Sequence, residues 1–376
     1  MSATTIALLS TYPPTQCGLA TFTAALYGQL IRSPGHVGVV RVLDDPDEGL
    51  DGGEVVAHLV NGSHASAIAA VHTLNSYDAV VVQHEYAIYG GLDGVDVLEV
   101  VEALTVPTIV VLHTVLREPT PRQRWIMEGL VSAADVVVTM AETARQRLME
   151  HYGVDPARIT VIPHGAMDHR SFRVPCSTTS RPLILTWGLL GPGKGIEWAI
   201  DAMPGLRDLL PRYLVIGKTH PKVLEREGEE YRLSLALRVR QRGVADIVEI
   251  DASYLGLPEL ANLVECADVV LLPYDSPDQV TSGVLIEAIA ASRPVVATAF
   301  PHAVEVLASG SGLIVPQRDP EAVGLALRRV LTEPGLAEEM AAHAASQAPA
   351  LMWSAVAQRY RSVAAGLVAA GLVAAS

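Results

Sequence analysis

Lysine is nearly missing from this 376-residue chain: of its 27 basic side chains only Lys194, Lys218 and Lys222 are lysines, and all lie in one short stretch. Charged residues of either sign make up only 18%, and the balance is acidic, with a formal net charge of −14. Wrapping nucleic acid requires clustered cations against phosphates, so this acidic chain is a poor candidate for it, and a basic face for a membrane is disfavoured. Cysteine is equally scarce. Cys17, Cys176 and Cys266 show no metal-ligand spacing, which argues against a zinc site and a disulfide framework and points to a reducing, cytoplasmic compartment. No apolar run approaches the ~18 residues of a membrane span. The N-terminus has no basic n-region and reads as a first strand rather than a signal peptide. The tail from Val363 to Ala375 is apolar but short, which favours a terminal helix over membrane contact. Gly-x-Ser-x-Gly, His-Glu-x-x-His and cysteine clusters are all absent, leaving hydrolase-triad and zinc chemistry without support.

What is present is apolar and periodic. Half the residues are hydrophobic, enough for sizeable cores. Continuous apolar runs at Ile6–Leu9, Val37–Val42, Ala79–Gln83, Thr108–Leu112, Val136–Thr139 and Thr160–Ile162 alternate with helical patterns such as Ala20–Ile31 and Pro121–Ala133. That alternation predicts a parallel sheet covered on both faces. The segment Val174–Arg181 is polar and contains proline, so it reads as a linker. The alternation then restarts with strands at Leu183–Thr186, Tyr213–Ile216, Ile247–Ile250, Val269–Leu272, Val295–Thr298 and Leu313–Val315. The expected fold is therefore α/β with two doubly wound, Rossmann-like domains, residues 1–175 and 182–350. Ligands of such sheets bind at the carboxyl ends of strands, and the cleft between the domains is the default site.

Five features can carry chemistry. In the first, the loop TYPPTQCG brings Gly18 to a helix start, where unpaired amides suit an anion; a tight turn is the plainer reading. In the second, Gly188, Gly193 and Lys194 nearly form a phosphate loop, but Gly195 stands where Ser or Thr would hold Mg²⁺. A triphosphatase thus becomes a remote reading, while a lysine at a Gly-rich turn still suits a diphosphate. Lys218 and His220 form the third feature, just past an apolar strand, where a solvated loop and a ligand contact stand as equal readings. The fourth is LLPYDSPDQVTSGVLIEAIAASRPVVAT, where Thr281, Ser282 and Gly283 cap a helix, Gln279 precedes it, and Glu287 sits inside it on either a solvent stripe or a ligand-facing position. The fifth is the set of strand ends bearing His84, Glu85, His113 and, after VIP, His164, better placed for ligand contact than mid-core histidines. Asp45-x-Asp47 could hold a metal bridging a diphosphate, but its surroundings favour a solvated loop, and no metal site is expected.

Assembled, these pieces resemble the retaining glycosyltransferases of family 4, with the GT-B fold, of the mannosyltransferase-like kind. The carrying segments are the loop ending in Cys17-Gly18, HEYAIYGG, LHTVL, VIPHG, WGLLGPGKGIEWAIDAM and ADVVLLPYDSPDQVTSGVLIEAIAASRPVVAT. The resemblance implies two domains facing a central cleft, with a nucleotide-sugar donor on the second. Lys194 would neutralise the diphosphate, backbone at Ser282, Gly283 and Val284 would bind its oxygens, and Glu287 would take the ribose hydroxyls. His113 would reach the transferred sugar and Gly18 the donor phosphate. The acceptor side would include His84 and Glu85. The C-terminal helix, residues 351–376, would cross back to the first domain, with hinges near 174–181 and 350. Two departures stand out: Gln279 replaces the first of two paired glutamates, and Leu189 replaces an arginine, with Lys218 the candidate substitute.

The resemblance implies a hexosyltransferase moving mannose, favoured as GDP-mannose, to a glycan, glycolipid or small-molecule acceptor, with no metal or cofactor required. A UDP- or ADP-glucose-dependent glucosyltransferase and a non-catalytic sugar- or nucleotide-binding protein stand as alternatives. A cytoplasmic location, with peripheral contact at the inner membrane face left open, completes the expectation.

Overall fold

A computed structural model describes residues 4–45, 52–168 and 181–374. The chain divides into two compact units, Met1–Gly165 with Trp353–Ser376, and Ala166–Met352. The expected linker lies outside the described residues except for Arg181, whose guanidinium is tied to the Leu210, Pro211 and Asp246 carbonyls of the second unit.

The first unit is built on a seven-stranded, all-parallel sheet. Its strands are β1 (Ile6–Ser10), β2 (Val37–Leu43), β3 (Val55–Val60), β4 (Ala79–His84), β5 (Thr108–Leu112), β6 (Val136–Thr139) and β7 (Ile159–Val161), in the spatial order β3-β2-β1-β4-β5-β6-β7. The central strands β1, β2, β4 and β5 are buried throughout, because crossover helices cover both faces. Sequence pattern misses β3, an edge strand with mixed burial in which His58 interrupts the apolar run. Strand order reverses between β1 and β4, so the chain leaving these two strands flanks the switch-point crevice.

Helix α1 (Gly18–Leu30) follows β1. The last helix, α14 (Trp353–Ala374), packs on it through a stripe of Trp353, Val356, Tyr360 and Ala364, all buried at helical spacing. Arg361 fixes the register by donating to the Pro34 carbonyl at 2.7 Å and the Leu30 carbonyl at 2.5 Å. Among the described residues no helix is long and apolar enough to cross a membrane.

The second unit has six parallel strands: β8 (Leu183–Trp187), β9 (Arg212–Ile216), β10 (Val248–Asp251), β11 (Val269–Leu272), β12 (Val295–Thr298) and β13 (Gly312–Val315), ordered β10-β9-β8-β11-β12-β13. Here the order reverses between β8 and β11. Helices α6 (Ile196–Ala202), α8 (Glu230–Gln241) and α12 (Pro320–Thr332) contribute to the core on one face. Helix α10 (Gly283–Ala290) packs in the core on the other. Three helices escape the pattern reading: α7 (Pro221–Glu227) and Pro301–Leu307, each only seven residues long, and α13 (Leu336–Leu351), whose composition is alanine-rich and which carries Pro349. Cys17 is a free thiol, but Cys266 is disulfide-bonded. One such bond is not a disulfide framework, but the spacing of the three cysteines gave no sign of it.

Candidate functional site

In the second unit the candidate residues gather at the switch point. The turn after β8 is pinned to the turn after β9: Gly188 donates to the Ile216 carbonyl, Leu190 to the Lys218 carbonyl at 2.8 Å, and His220 to the Leu190 carbonyl at 2.8 Å. Gly217 is required there, since its φ is +150° and a Cβ would lie 2.8 Å from the Gly188 carbonyl carbon. The backbone of Lys218 is thus part of the Gly-rich turn.

Gly195 explains why the phosphate loop is incomplete. Its φ is +61°, and a Cβ would sit 2.9 Å from the Pro273 carbonyl carbon and closer still to the oxygen. A hydroxyl-bearing residue has no room, so the Mg²⁺ ligand of a triphosphatase is sterically excluded. Instead the turn is locked to the chain leaving β11, where Asp275 donates its amide to the Gly193 carbonyl at 3.1 Å. Half-buried Lys194 lays its Nζ 4.4 Å from the centre of the Tyr274 ring, a cation–π contact that holds the ammonium in place. Lys218 is more exposed, with its Nζ 5.9 Å from the Tyr254 ring. His220 caps α7 by accepting the Lys222 amide. Burial and then the nearby Lys194, Arg226 and Lys222 charges hold its pKa below the ordinary histidine value.

Helix α10 opens at the same place. Ser282 is its N-cap and accepts the Leu285 amide at 3.2 Å, while the Ser282 amide donates to Nδ1 of buried His302 at 2.9 Å. Gly283 and Val284 are the first residues of the helix, where amides have no intrahelical acceptor and the dipole favours an anion. A Cβ on Gly188 would meet the Val284 side chain at 3.6 Å, which makes the two turns neighbours. Gln279 does not project away from its loop: its amide nitrogen donates to the Thr281 carbonyl. The Thr281 hydroxyl is buried. Glu287 is half-buried, and both its oxygens accept the Met167 amide at 3.3 Å. The solvent-stripe alternative for Glu287 is therefore set aside. The carboxylate secures the chain that follows VIPHG, a contact 120 residues apart that no local pattern reveals.

In the first unit, Gly18 is the first residue of α1, and a Cβ there would meet no atom within 4 Å, leaving open space before the helix. The N-cap is Cys17, whose Sγ accepts the Ala20 amide at 3.4 Å. His84 ends β4 and Glu85 follows it; the two diverge, because successive residues of an extended chain point to opposite faces. The His84 ring is fully buried against Tyr86, and neither nitrogen has a hydrogen-bond partner. Burial lowers its pKa to about 3, so the ring is neutral. Enclosed in this way it cannot contact an acceptor, which corrects the expectation for that residue. Glu85 stays partly accessible: the Thr114 hydroxyl donates to Oε2 at 2.5 Å and the Tyr86 amide to Oε1 at 3.0 Å. Desolvation raises its pKa, only partly offset by those two hydrogen bonds.

His113 lies at the end of β5, its Nε2 2.7 Å from Oε1 of Gln83. With the amide oriented so, Nε2 carries the proton and Nδ1 is left as an acceptor. Burial, then His164 and His84, lower its pKa to about 3. An aromatic cluster holds it: Phe22 meets His113, His164 and Trp353 edge-on at 4.9, 5.1 and 4.8 Å. Sequence reading missed Gln83, Tyr274, His302 and Trp353 as supports. For Gln83 a signal existed, since β4 and β5 are adjacent and both end in candidate residues. Of Asp45-x-Asp47, Asp47 lies outside the described residues. Among those described, no cluster of three or more His, Cys, Asp or Glu side chains could hold a metal.

Two parallel α/β units, each with candidate residues at its switch point, define a protein of GT-B architecture. A family model described as Glycosyltransferase Family 4 matches residues 18–169, and one described as Glycosyl transferases group 1 matches residues 181–333. The D-inositol 3-phosphate glycosyltransferase of Geodermatophilus obscurus is 30% identical over 353 residues, covering 85% of this chain and 73% of that protein. The protein of the same name from Kineococcus radiotolerans is 31% identical over 266 residues. That match takes in 64% of this chain and only 59% of the relative. Among solved structures, Anabaena HepE in complex with UDP and glucose superposes with a TM-score of 0.77 at 15% identity, covering 96% of this chain and 100% of that one. The sucrose-phosphate synthase of Thermosynechococcus elongatus gives 0.74 at 19% identity, covering 99% and 100%. The chain belongs to glycosyltransferase family 4.

Proposed function

We propose that the protein is a retaining hexosyltransferase that takes a sugar from a nucleoside-diphosphate donor without a metal ion. The observation that carries the reading is the diphosphate cradle of the second unit. There a lysine fixed on Tyr274 accompanies two glycine turns and the first amides of α10, which lack intrahelical acceptors. Fixed donors aimed at a departing diphosphate stabilise the charge that develops as the sugar's C1–O bond breaks. The acceptor hydroxyl oxygen forms the new bond to C1 and its proton leaves with the diphosphate, so atoms and charge balance. Lys194 is the main cation, Lys218 stands in for the arginine replaced by Leu189, and Glu287 takes the ribose hydroxyls. His113, neutral and with Nδ1 free of the Gln83 contact, meets the transferred hexose, and Gly18 admits the donor phosphate.

GDP-mannose is the donor the family resemblance favours. A UDP-linked hexose is the second reading, favoured by UDP in the complexes of HepE. Thermal-shift titration with GDP, UDP, ADP and TDP, each with and without EDTA, tests both. Stabilisation by one nucleoside diphosphate that EDTA leaves unchanged is expected. Stabilisation by none, or by one only with a divalent ion, overturns the metal-independent donor site.

A further inference from the structure

Gln83 is a fully buried residue of β4, and among the described residues its side chain makes one hydrogen bond, between Oε1 and Nε2 of His113 at 2.7 Å. Sheet parity brings the two together. β4 and β5 are adjacent and parallel, with Gln83 opposite Val111. His113 stands two residues beyond Val111, so it shares the face of the sheet on which Gln83 lies, while His84 belongs to the other face. The Tyr89 hydroxyl donates to the Gln83 carbonyl at 2.7 Å, and the His113 amide donates to the His84 carbonyl at 3.1 Å. The backbone under both side chains is thereby fixed.

The glutamine comes at a cost to the fold. Its Nε2 is buried without a hydrogen-bond partner. An amide satisfied at one end only is worse for stability than an apolar side chain of similar size, so the core gives no reason for glutamine at this position. What it does supply is an acceptor opposite the imidazole. The other edge of the ring is open. Nδ1 bonds to no described residue and is not sealed from solvent, and His113 as a whole is only half-buried. Burial and the neighbouring His164 and His84 keep the ring neutral, so it carries one proton. With that proton on Nε2, Nδ1 is an acceptor; with the proton on Nδ1, the same edge becomes a donor.

We propose that Gln83 is a positioning residue: its Oε1 fixes the His113 proton on Nε2 and so keeps Nδ1 as a hydrogen-bond acceptor for a hydroxyl of the transferred sugar. The sugar contact rests on the glycosyltransferase reading, whereas the tautomer rests on the Gln83–His113 geometry alone. An acceptor at this edge pairs with a hydroxyl through its proton. It disfavours a group that offers only lone pairs, such as a carboxylate or a carbonyl.

The test is long-range proton–nitrogen NMR on the full chain with ¹⁵N-labelled histidine, the His113 signals being those lost in His113→Asn. Wild type should show one neutral tautomer, protonated at Nε2, from about pH 6 to 8. In Gln83→Met, close in size but lacking the oxygen, a proton on Nε2 would be buried without an acceptor, while Nδ1 can reach water. The ratio of the Nε2–H to the Nδ1–H form should therefore fall by at least about threefold. Gln83→Leu should do the same, and the wild-type spectrum decides the tautomer even if neither variant folds. Calorimetric titration reads the consequence. Affinity for the nucleoside diphosphate should stay within about twofold in Gln83→Met, while the affinity of the matching nucleotide sugar relative to it falls by about threefold or more. A wild-type proton on Nδ1, an unchanged tautomer ratio in a folded variant, or an unchanged affinity ratio would each overturn the proposal. If wild type binds no nucleoside diphosphate, the donor-site reading fails and takes the sugar contact with it, and the spectra still report whether Gln83 sets the tautomer.

Discussion

Replacing Gly195 by alanine tests the packing of the Gly-rich turn directly. The added Cβ demands a left-handed conformation at φ +61°, which costs roughly 1–2 kcal/mol for a residue with a side chain. It also drives a methyl group against the Pro273 carbonyl, whose carbon lies 2.9 Å away, and overpacking of this kind adds about 1–3 kcal/mol. The obstacle is backbone, so no side-chain rotation relieves it. A total of roughly 2–5 kcal/mol corresponds to a fall in melting temperature of about 4–20 °C for the second unit. The displaced segment carries Tyr274 and Asp275, the supports of Lys194 and Gly193, so affinity for the nucleoside diphosphate should fall as well. Scanning calorimetry and titration of the nucleotide read the two effects. Gly18→Ala supplies the contrast: its Cβ meets nothing within 4 Å, so stability should hold while transfer slows if the donor phosphate approaches that loop. A Gly195→Ala protein melting within about 1 °C of wild type would refute the account of why the phosphate loop is incomplete.

Three further outcomes follow from the same geometry. Lys194→Ala removes a charge-assisted contact to the diphosphate and should weaken nucleotide binding by about 10- to 100-fold, read by calorimetric titration, with little change in folding. His302→Ala leaves the buried Ser282 amide without its acceptor, costing about 1–3 kcal/mol in denaturant unfolding and loosening the first turn of α10. Stability should also decline on acidification. His84 has a folded pKa of about 3 against 6.5 unfolded, so the unfolded chain binds more protons between those values. Its contribution is complete above pH 6.5 and shrinks as pH falls, by about 2 kcal/mol at pH 5, and a His84→Leu variant should show a shallower pH slope in urea unfolding.

The fold was legible where burial is complete. β5, β6, β11 and β12 have the ends that their apolar runs predict, because a strand covered on both faces is apolar along most of its length. β3 is half-exposed and broken by His58, so its sequence resembles a loop. Helix α10 could be read from its cap, since Ser282 followed by an apolar run is a start signal that local chemistry enforces. Helix α13 offers no comparable stripe, with only Met340, Ala344 and Ala348 buried along sixteen residues.

The candidate site divides along a different line. Residues that act through backbone position were visible in sequence, because a glycine turn between a strand and a helix has few conformations. Gly188, Gly193 and Lys194 therefore fall where the pattern puts them, beside Val284 and Tyr274. Residues that act through a distant partner were not visible. Glu287 lies 120 positions from the amide it holds, and His302 lies twenty from Ser282. His84 and Glu85 show the limit most sharply. Sequence offers them as an adjacent polar pair, yet strand alternation sends one into the core as a neutral ring and leaves the other accessible beside Thr114. Which of two neighbours faces a ligand depends on the parity of the strand, and parity shows only once the sheet's two faces are assigned to particular helices. For this chain that parity leaves a carboxyl group accessible beside Thr114.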